Sequence, residues 1–196
     1  MIEYVEIRNE STALIGLVDA AKSIIWRSIY FGVGDFEIYT TANADALRLL
    51  RVGYYVTRPD NDEIGIIESI EITNNVQDGL MIVASGRFAK SILDRRLIYN
   101  LSGAVNTATI LRGNVETAVR GVVNNNAIGC AFDTRRNIPL LELGALANIP
   151  LRIVDSDGYA TEKQVSYGNL LSYTDGVLEE YGLAAIVKLS GGKLQY

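Results

Sequence analysis

The chain has 196 residues, 48% hydrophobic and 21% charged, which is enough apolar material for a buried core and too much for a disordered tail. Its 18 lysines and arginines against 23 aspartates and glutamates give a net charge of −5, without the basic stripe that a nucleic-acid binder needs to neutralise phosphates. There is no histidine and one cysteine, Cys130, so Ser-His and Cys-His catalysis, His-based zinc sites, Cys-only clusters and internal disulfides are excluded.

The opening Met1-Ile2-Glu3 has no basic n-region, so no secretory signal is expected there. The longest apolar stretches, such as Leu80–Ala84 and Leu183–Val187, fall far short of the roughly 20 residues of a membrane-spanning helix, and no membrane anchor is expected. The first hundred residues read as strands: Ile2–Arg8, Ala13–Ala20, Ser23–Phe31, Asp35–Thr40, Val52–Thr57, Ile64–Thr73 and Gly79–Gly86. Each is rich in Ile, Val, Tyr or Thr and bounded by Gly, Pro, Asp or Asn. Gly32-Val33-Gly34-Asp35 and Arg58-Pro59-Asp60-Asn61-Asp62 have the chemistry of tight turns, and Asn75–Gly79 that of a hairpin connection.

Between the fourth and fifth runs, Ala42–Leu50 has Ala44, Leu47 and Leu50 at helical spacing, with Asn43 placed to cap the first turn. Gly79–Gly86 is apolar on both faces and predicts a strand covered on both sides. Asp35–Thr40 alternates Phe36 and Ile38 with acids, the pattern of a sheet with one wet face. Seven β-runs of unequal burial predict a small barrel or split barrel.

After Gly103 the pattern changes. Asn114–Val123 puts Val115, Val119, Val122 and Val123 on one helical face, with Asn114 as N-cap and Asn124-Asn125-Asn126 as terminator. Asn169–Tyr181 is the strongest helix signal, with Leu170, Leu171, Thr174, Val177, Leu178 and Tyr181 on one face and Gly182 as the stop. Strands are expected at Leu140–Leu143, Leu151–Val154 and Leu183–Leu189. Leu194-Gln195-Tyr196 follows Ser190-Gly191-Gly192 as though starting a hairpin, which points to the front portion of a longer protein. The fold class is α+β, with a β-rich, split-barrel-like domain over residues 1–103 and a smaller α+β domain over 104–196 packed on the long helix.

Few residues suggest chemistry. Gly32–Glu37 places Glu37 where a dinucleotide loop needs its third glycine, and the carboxylate would repel pyrophosphate. Asp60-Asn61-Asp62-Glu63 and Asp155-Ser156-Asp157-Gly158 are oxygen-rich but lack the spacing of a calcium loop, and read as solvated turns. Cys130, between Gly129 and Ala131, reads as a small buried hydrophobe.

Glu68 shares a face with Ile66, Ile70 and Ile72. That predicts a bulge that turns it outward, a face only partly covered, or a charge held by an arginine, Arg95 or Arg96, inside the barrel or across a subunit boundary. Arg95-Arg96 and Arg135-Arg136 read as solvated loop ends or inter-subunit salt bridges. Trp26, Tyr54 and Tyr55 sit in the β half, where ordinary packing and interface use are both open. No catalytic, cofactor-binding or metal residue is assigned, and no cofactor is expected.

One ordered set of segments carries a resemblance. It runs from Trp26-Arg27-Ser28-Ile29-Tyr30-Phe31-Gly32-Val33-Gly34-Asp35-Phe36-Glu37-Ile38-Tyr39 through Ala44–Leu50 and Glu63-Ile64-Gly65-Ile66-Ile67-Glu68-Ser69-Ile70-Glu71-Ile72. It continues with Ser85-Gly86-Arg87-Phe88, Leu93-Asp94-Arg95-Arg96-Leu97-Ile98, Arg136-Asn137-Ile138-Pro139 and the closing Tyr167–Leu189 unit. In that order the chain resembles the amino-terminal part of siphophage tail-hub, or tail-tip baseplate, proteins, a group that includes tail-associated lysins and proteins encoded by prophages.

The resemblance implies a virion structural protein at the distal end of the tail, held in the host cytoplasm before assembly. It would form a ring, a homotrimer in the full-length protein, built from β-barrel-like domains. The ring would dock to the distal tail and other tail-tip proteins and carry receptor-binding or cell-wall-degrading parts. Members of the group continue past the position of Tyr196. Two other readings compete with this one: a module binding a cell-envelope glycan or host receptor through exposed aromatics, and an enzyme using Glu68 with Asp94, carboxylates that glycoside hydrolysis would need roughly 5–10 Å apart.

Overall fold

The structure, a computed structural model, describes residues 4–76, 79–99 and 108–196. The expected start of the first strand at Ile2, the tip of the Asn75–Gly79 connection and the change of character at Gly103 lie outside the described residues. Contacts divide the chain into two units, Met1–Ala89 with Ile186–Leu194 and Lys90–Ala185 with Gln195–Tyr196.

The first unit begins with β1 (Val5–Arg8), β2 (Leu14–Val18), β3 (Ala21–Arg27), β4 (Asp35–Thr41) and helix α1 (Ala44–Leu49). It continues with β5 (Tyr55–Arg58), β6 (Asn61–Ile66), β7 (Ser69–Asn75) and β8 (Gly79–Arg87). The second unit holds β9 (Leu97–Ile98), β10 (Thr109–Leu111), α2 (Val115–Val123), β11 (Leu141–Glu142), β12 (Lys163–Val165), β13 (Gly168–Asn169) and α3 (Leu170–Glu180). The chain then returns to the first unit through β14 (Lys188–Ser190) and the front of β15 (Lys193–Gln195).

Two sheets make the first unit. One runs in the order β15-β14-β6-β5-β1-β2, the other in the order β3-β4-β8-β7. Among the described residues neither closes on itself, so there is no closed barrel. The alternation in β4 is as read: Phe36, Ile38 and Thr40 are buried while Asp35, Glu37 and Tyr39 are half-buried. Val5, Ile7, Phe36, Ile38, Val56, Ile67 and Ile82 join Leu49 and Leu50 in one core.

The second sheet is wetter than expected. Ile82 and Ala84 of β8 are fully buried, but Leu80 remains 48% exposed at the hairpin end. The run Ile64–Thr73 is not one strand. It breaks at Ile67–Glu68, where the chain leaves the β5 side and joins β8: Ile67 donates to the Tyr54 carbonyl (2.9 Å) and Glu68 to that of Ser85 (2.9 Å). Helix α1 is capped by Asn43, whose side chain accepts from Ala46 N. Its buried face is Ala46 and Leu49, while Leu47 is half exposed, because Leu49 packs where a side chain on Gly16 would sit.

In the second unit α2 buries Val115, Val119, Val122 and Val123 as the pattern predicts. The three asparagines do not stop it. They continue as a wider π turn, Asn124–Ile128, in which buried Asn126 donates to Val122 O (2.9 Å) and accepts from Tyr99 N (3.0 Å). Helix α3 is capped by Asn169, which accepts from Ser172 N, and buries Leu170, Leu171, Thr174, Val177 and Leu178.

The Asn114 side chain accepts from Thr117 N (2.9 Å) and also donates to the Ile149 carbonyl, so Asn114→Ala is expected to cost about 1–2 kcal/mol. Thermal melting of the variant against the parent checks this, and an unchanged midpoint would contradict the double role.

Three expected strands shorten or vanish. Leu140–Leu143 is reduced to β11, Leu151–Val154 keeps only isolated bridges at Arg152 and Val154, and Leu183–Leu189 yields only the start of β14. The hairpin at Ser190 does form, because Gly191 and Gly192 take positive φ (56° and 77°), as the tight reversal of a hairpin requires. Leu194 beyond it is fully buried. No helix among the described residues is long and apolar enough to cross a membrane.

Candidate functional site

The aromatic residues singled out in the β half are half-buried. Trp26 faces Phe36 across the β3–β4 pair, with ring centroids 5.6 Å apart, and lies 4.8 Å from the Phe88 ring and 5.7 Å beneath the Arg58 guanidinium. Trp26 and Tyr54 are half-buried against the core. Tyr55, on β5, is half-buried and sits opposite Ile66. These three side chains therefore build no open aromatic groove. The exposed rings of this unit are Tyr30 and Phe31 in the β3–β4 loop, 65% and 45% exposed.

Glu68 is held by Arg87 of β8. Arg87 Nε and Nη2 donate to the two carboxylate oxygens at 2.9 Å each. The reason is register: Ser69 pairs with Ser85, which brings the residue before Ser69 alongside the end of β8. Asp94 accepts from Asn169 Nδ2 at 2.9 Å. Each carboxylate of the Glu68–Asp94 reading thus has a local structural partner, and the two belong to different units.

The oxygen-rich loops are self-bonded turns. Asp60 binds Arg58 through both oxygens (2.9 and 2.7 Å), and Asp155 Oδ1 accepts from the backbone of Asp157 (3.0 Å) and Tyr159 (2.9 Å). No group of three or more Cys, Asp or Glu side chains among the described residues could hold a metal ion. Cys130 is buried and its backbone N–H donates to Asn137 Oδ1 (2.8 Å).

What the sequence did not reveal is that the two arginine doublets meet. Arg95, Arg96, Leu97, Asp133, Arg135 and Arg136 line one cavity of about 470 Å³ in the second unit. Arg95 ends the 3-10 helix Ala89–Arg95, and Arg135 and Arg136 lie on the 3-10 helix Thr134–Arg136 that Asp133 caps. Arg96 Nε donates to the Arg136 carbonyl (2.6 Å) and Arg136 Nη2 to that of Leu97, so backbone oxygens fix these two guanidiniums without neutralising them. Arg135 is bound at both ends by Asp133 (2.8 and 3.0 Å), and that hydrogen bonding holds the Asp133 carboxyl below its ordinary range.

Next to the cavity the rings are open to solvent. Tyr99 stacks on Phe132 at 5.2 Å and meets Tyr167 edge-on at 6.1 Å, while Arg136 sits 5.6 Å over the Phe132 ring. Tyr99, Phe132 and Tyr167 are 45%, 43% and 73% exposed. A surface that combines arginines with exposed tyrosines has the composition of a protein interface core.

Solved structures share this fold. The prophage tail protein gp18 from Listeria monocytogenes EGD-e matches with a TM-score of 0.55 at 11% identity, over 98% of this chain and 49% of that one. The tail protein from Neisseria meningitidis MC58 matches with a TM-score of 0.51 at 16% identity, again over 98% and 49%. The chain thus spans about half the length of each, and at these identities the likeness is one of fold. No curated protein matches the sequence. The family model described as Siphovirus ReqiPepy6 Gp37-like protein matches residues 4–195, and the chain belongs to that family.

Proposed function

We propose that this chain is a structural part of a siphophage tail tip, a hub or baseplate protein that self-associates into a ring at the distal end of the tail. There it docks the tail to receptor-binding or cell-wall-degrading parts, and its role is assembly rather than catalysis. The observation that carries this reading is the fold shared over 98% of the chain with two tail proteins, one of them from a prophage.

The open edges support it. Strands β3 and β7 end their sheet and β2 ends the other, and Leu14 and Leu17 on β2 are about half exposed. Unpaired strand edges and exposed apolar residues are what a subunit contact covers. Affinity would come from the apolar centres of such contacts and specificity from the charges around them.

Mass photometry and negative-stain imaging of the full-length protein test the proposal. A closed ring of identical copies, with three as the expected number, is the predicted result. A featureless monomer at high concentration would overturn it.

A further inference from the structure

We infer that the four-arginine cavity of the second unit receives the acidic turn Asp155–Tyr159 of a second copy of this chain. The inference rests on the self-association proposed above and supplies one of its contacts.

The receiving side is unusual in so acidic a protein. Four guanidiniums line the cavity against one carboxylate, Asp133, and Asp133 is committed to Arg135. Arg96 and Arg136 are anchored by carbonyls, which leaves their charge available to an incoming carboxylate, and their fixed positions reduce the ordering cost of binding one. The rings of Tyr99, Phe132 and Tyr167 flank the cavity, open to solvent.

The inserting side has the complementary features. The Asp155 side chain closes its own turn by accepting from the Asp157 and Tyr159 backbones. The Tyr159 carbonyl accepts from Asp155 N (2.9 Å). This bracing leaves Asp157 exposed at the tip and Tyr159 72% exposed beside it. An acid next to a tyrosine on a braced protrusion matches arginines next to aromatic rings in a cavity, in both charge and ring chemistry. The base of the turn carries Asp155, Glu162 and Glu180, of which Glu162 pairs with Arg112 and Glu180 with Lys163.

Turn and cavity are different patches of one chain, so a contact between them runs head to tail. Head-to-tail contacts generate rings when the rotation closes. A second copy is favoured over other anionic partners because the matching acid and ring are already present on this chain.

Self-association of the full-length protein, measured by sedimentation velocity at low and high salt, tests the inference with Arg135→Glu, Asp157→Arg and the two together. Each single reversal is expected to weaken association roughly tenfold or more at low salt, with a smaller loss at high salt. The double variant is expected to associate more tightly than either single variant, because the two reversed charges attract each other. Both residues are exposed, so unchanged melting curves separate a lost contact from a lost fold. Association unaffected by the single variants overturns the inference and leaves the ring proposal standing. So do single variants that weaken association without recovery in the double, since the cavity would then hold some other acidic group. A parent protein that never associates overturns both.

Discussion

Gly86→Ala is expected to destabilise the protein by about 3 kcal/mol or more, seen as a fall in melting temperature on the order of 10 °C. A Cβ at this position would lie inside the van der Waals envelope of the Ile66 carbonyl oxygen, 2.9 Å from Ile66 C and 3.0 Å from Glu68 N. All three neighbours are backbone, so no side chain can swing away to make room. The crowding occurs where the chain crosses from β6 to β7, and relief would require the Ile67–Glu68 crossover itself to move. The internal comparison is Gly176→Ala on the exposed side of α3, where a Cβ meets nothing within 4 Å. There alanine should stabilise by up to about 1 kcal/mol through helix propensity. Equal melting curves for the two variants would show that the strands are not so closely apposed at Gly86.

The second large effect concerns Lys90 and Asp175, whose side chains are only 5% and 21% exposed and meet at 3.0 Å. Asp175→Ala strands a buried ammonium and is expected to cost about 3–5 kcal/mol, whereas Lys90→Met with Asp175→Leu should lie within about 1 kcal/mol of the parent. A single variant as stable as the double would mean that water reaches Lys90.

Burial raises the Asp175 carboxyl above its ordinary value, and Lys90 pulls it part of the way back. Because the folded state takes up that proton first, the group's cost is present above the folded value and disappears as the pH falls through it. Asp60 and Asp133 have the opposite sign. Their arginine partners hold them low, so the little they contribute on an exposed surface is lost as the pH falls through their folded values.

Local chemistry was well marked in the sequence. Asn43 and Asn114 each cap the helix they precede, because an asparagine ahead of an apolar stripe of helical period satisfies donors only three residues away, whereas Asn169, read as part of its helix, is its cap. The four valines of α2 were readable for the same reason. Features set by distant partners were not. Glu68 shares the parity of Ile66, and only the crossover to β8, with Arg87 at its end, explains its position. The arginine doublets are about 40 residues apart in the chain, and no spacing rule links them. Trp26 could be named as core or interface, but its place between Phe36 and Phe88 depends on β4 and on the residue that follows β8. Of the leucines read onto the α1 face, Leu50 is buried and Leu47 is not, and Leu49, which packs against Gly16 on β2, takes the inner position instead.

The discontinuity of the first unit bears on how the protein is made. Strand β14 pairs with β6 through Lys188 and Glu63, and the whole of Lys90–Ala185 lies between them in the chain. On the ribosome, β6 therefore emerges long before its neighbour exists and waits with one side unsatisfied until the intervening segment has been synthesised. Such long-range pairing slows folding and leaves nascent chains prone to associate wrongly. Under the proposed self-association through exposed edges, the timing of β14 synthesis decides whether β6 pairs within its own chain or with a neighbouring nascent chain.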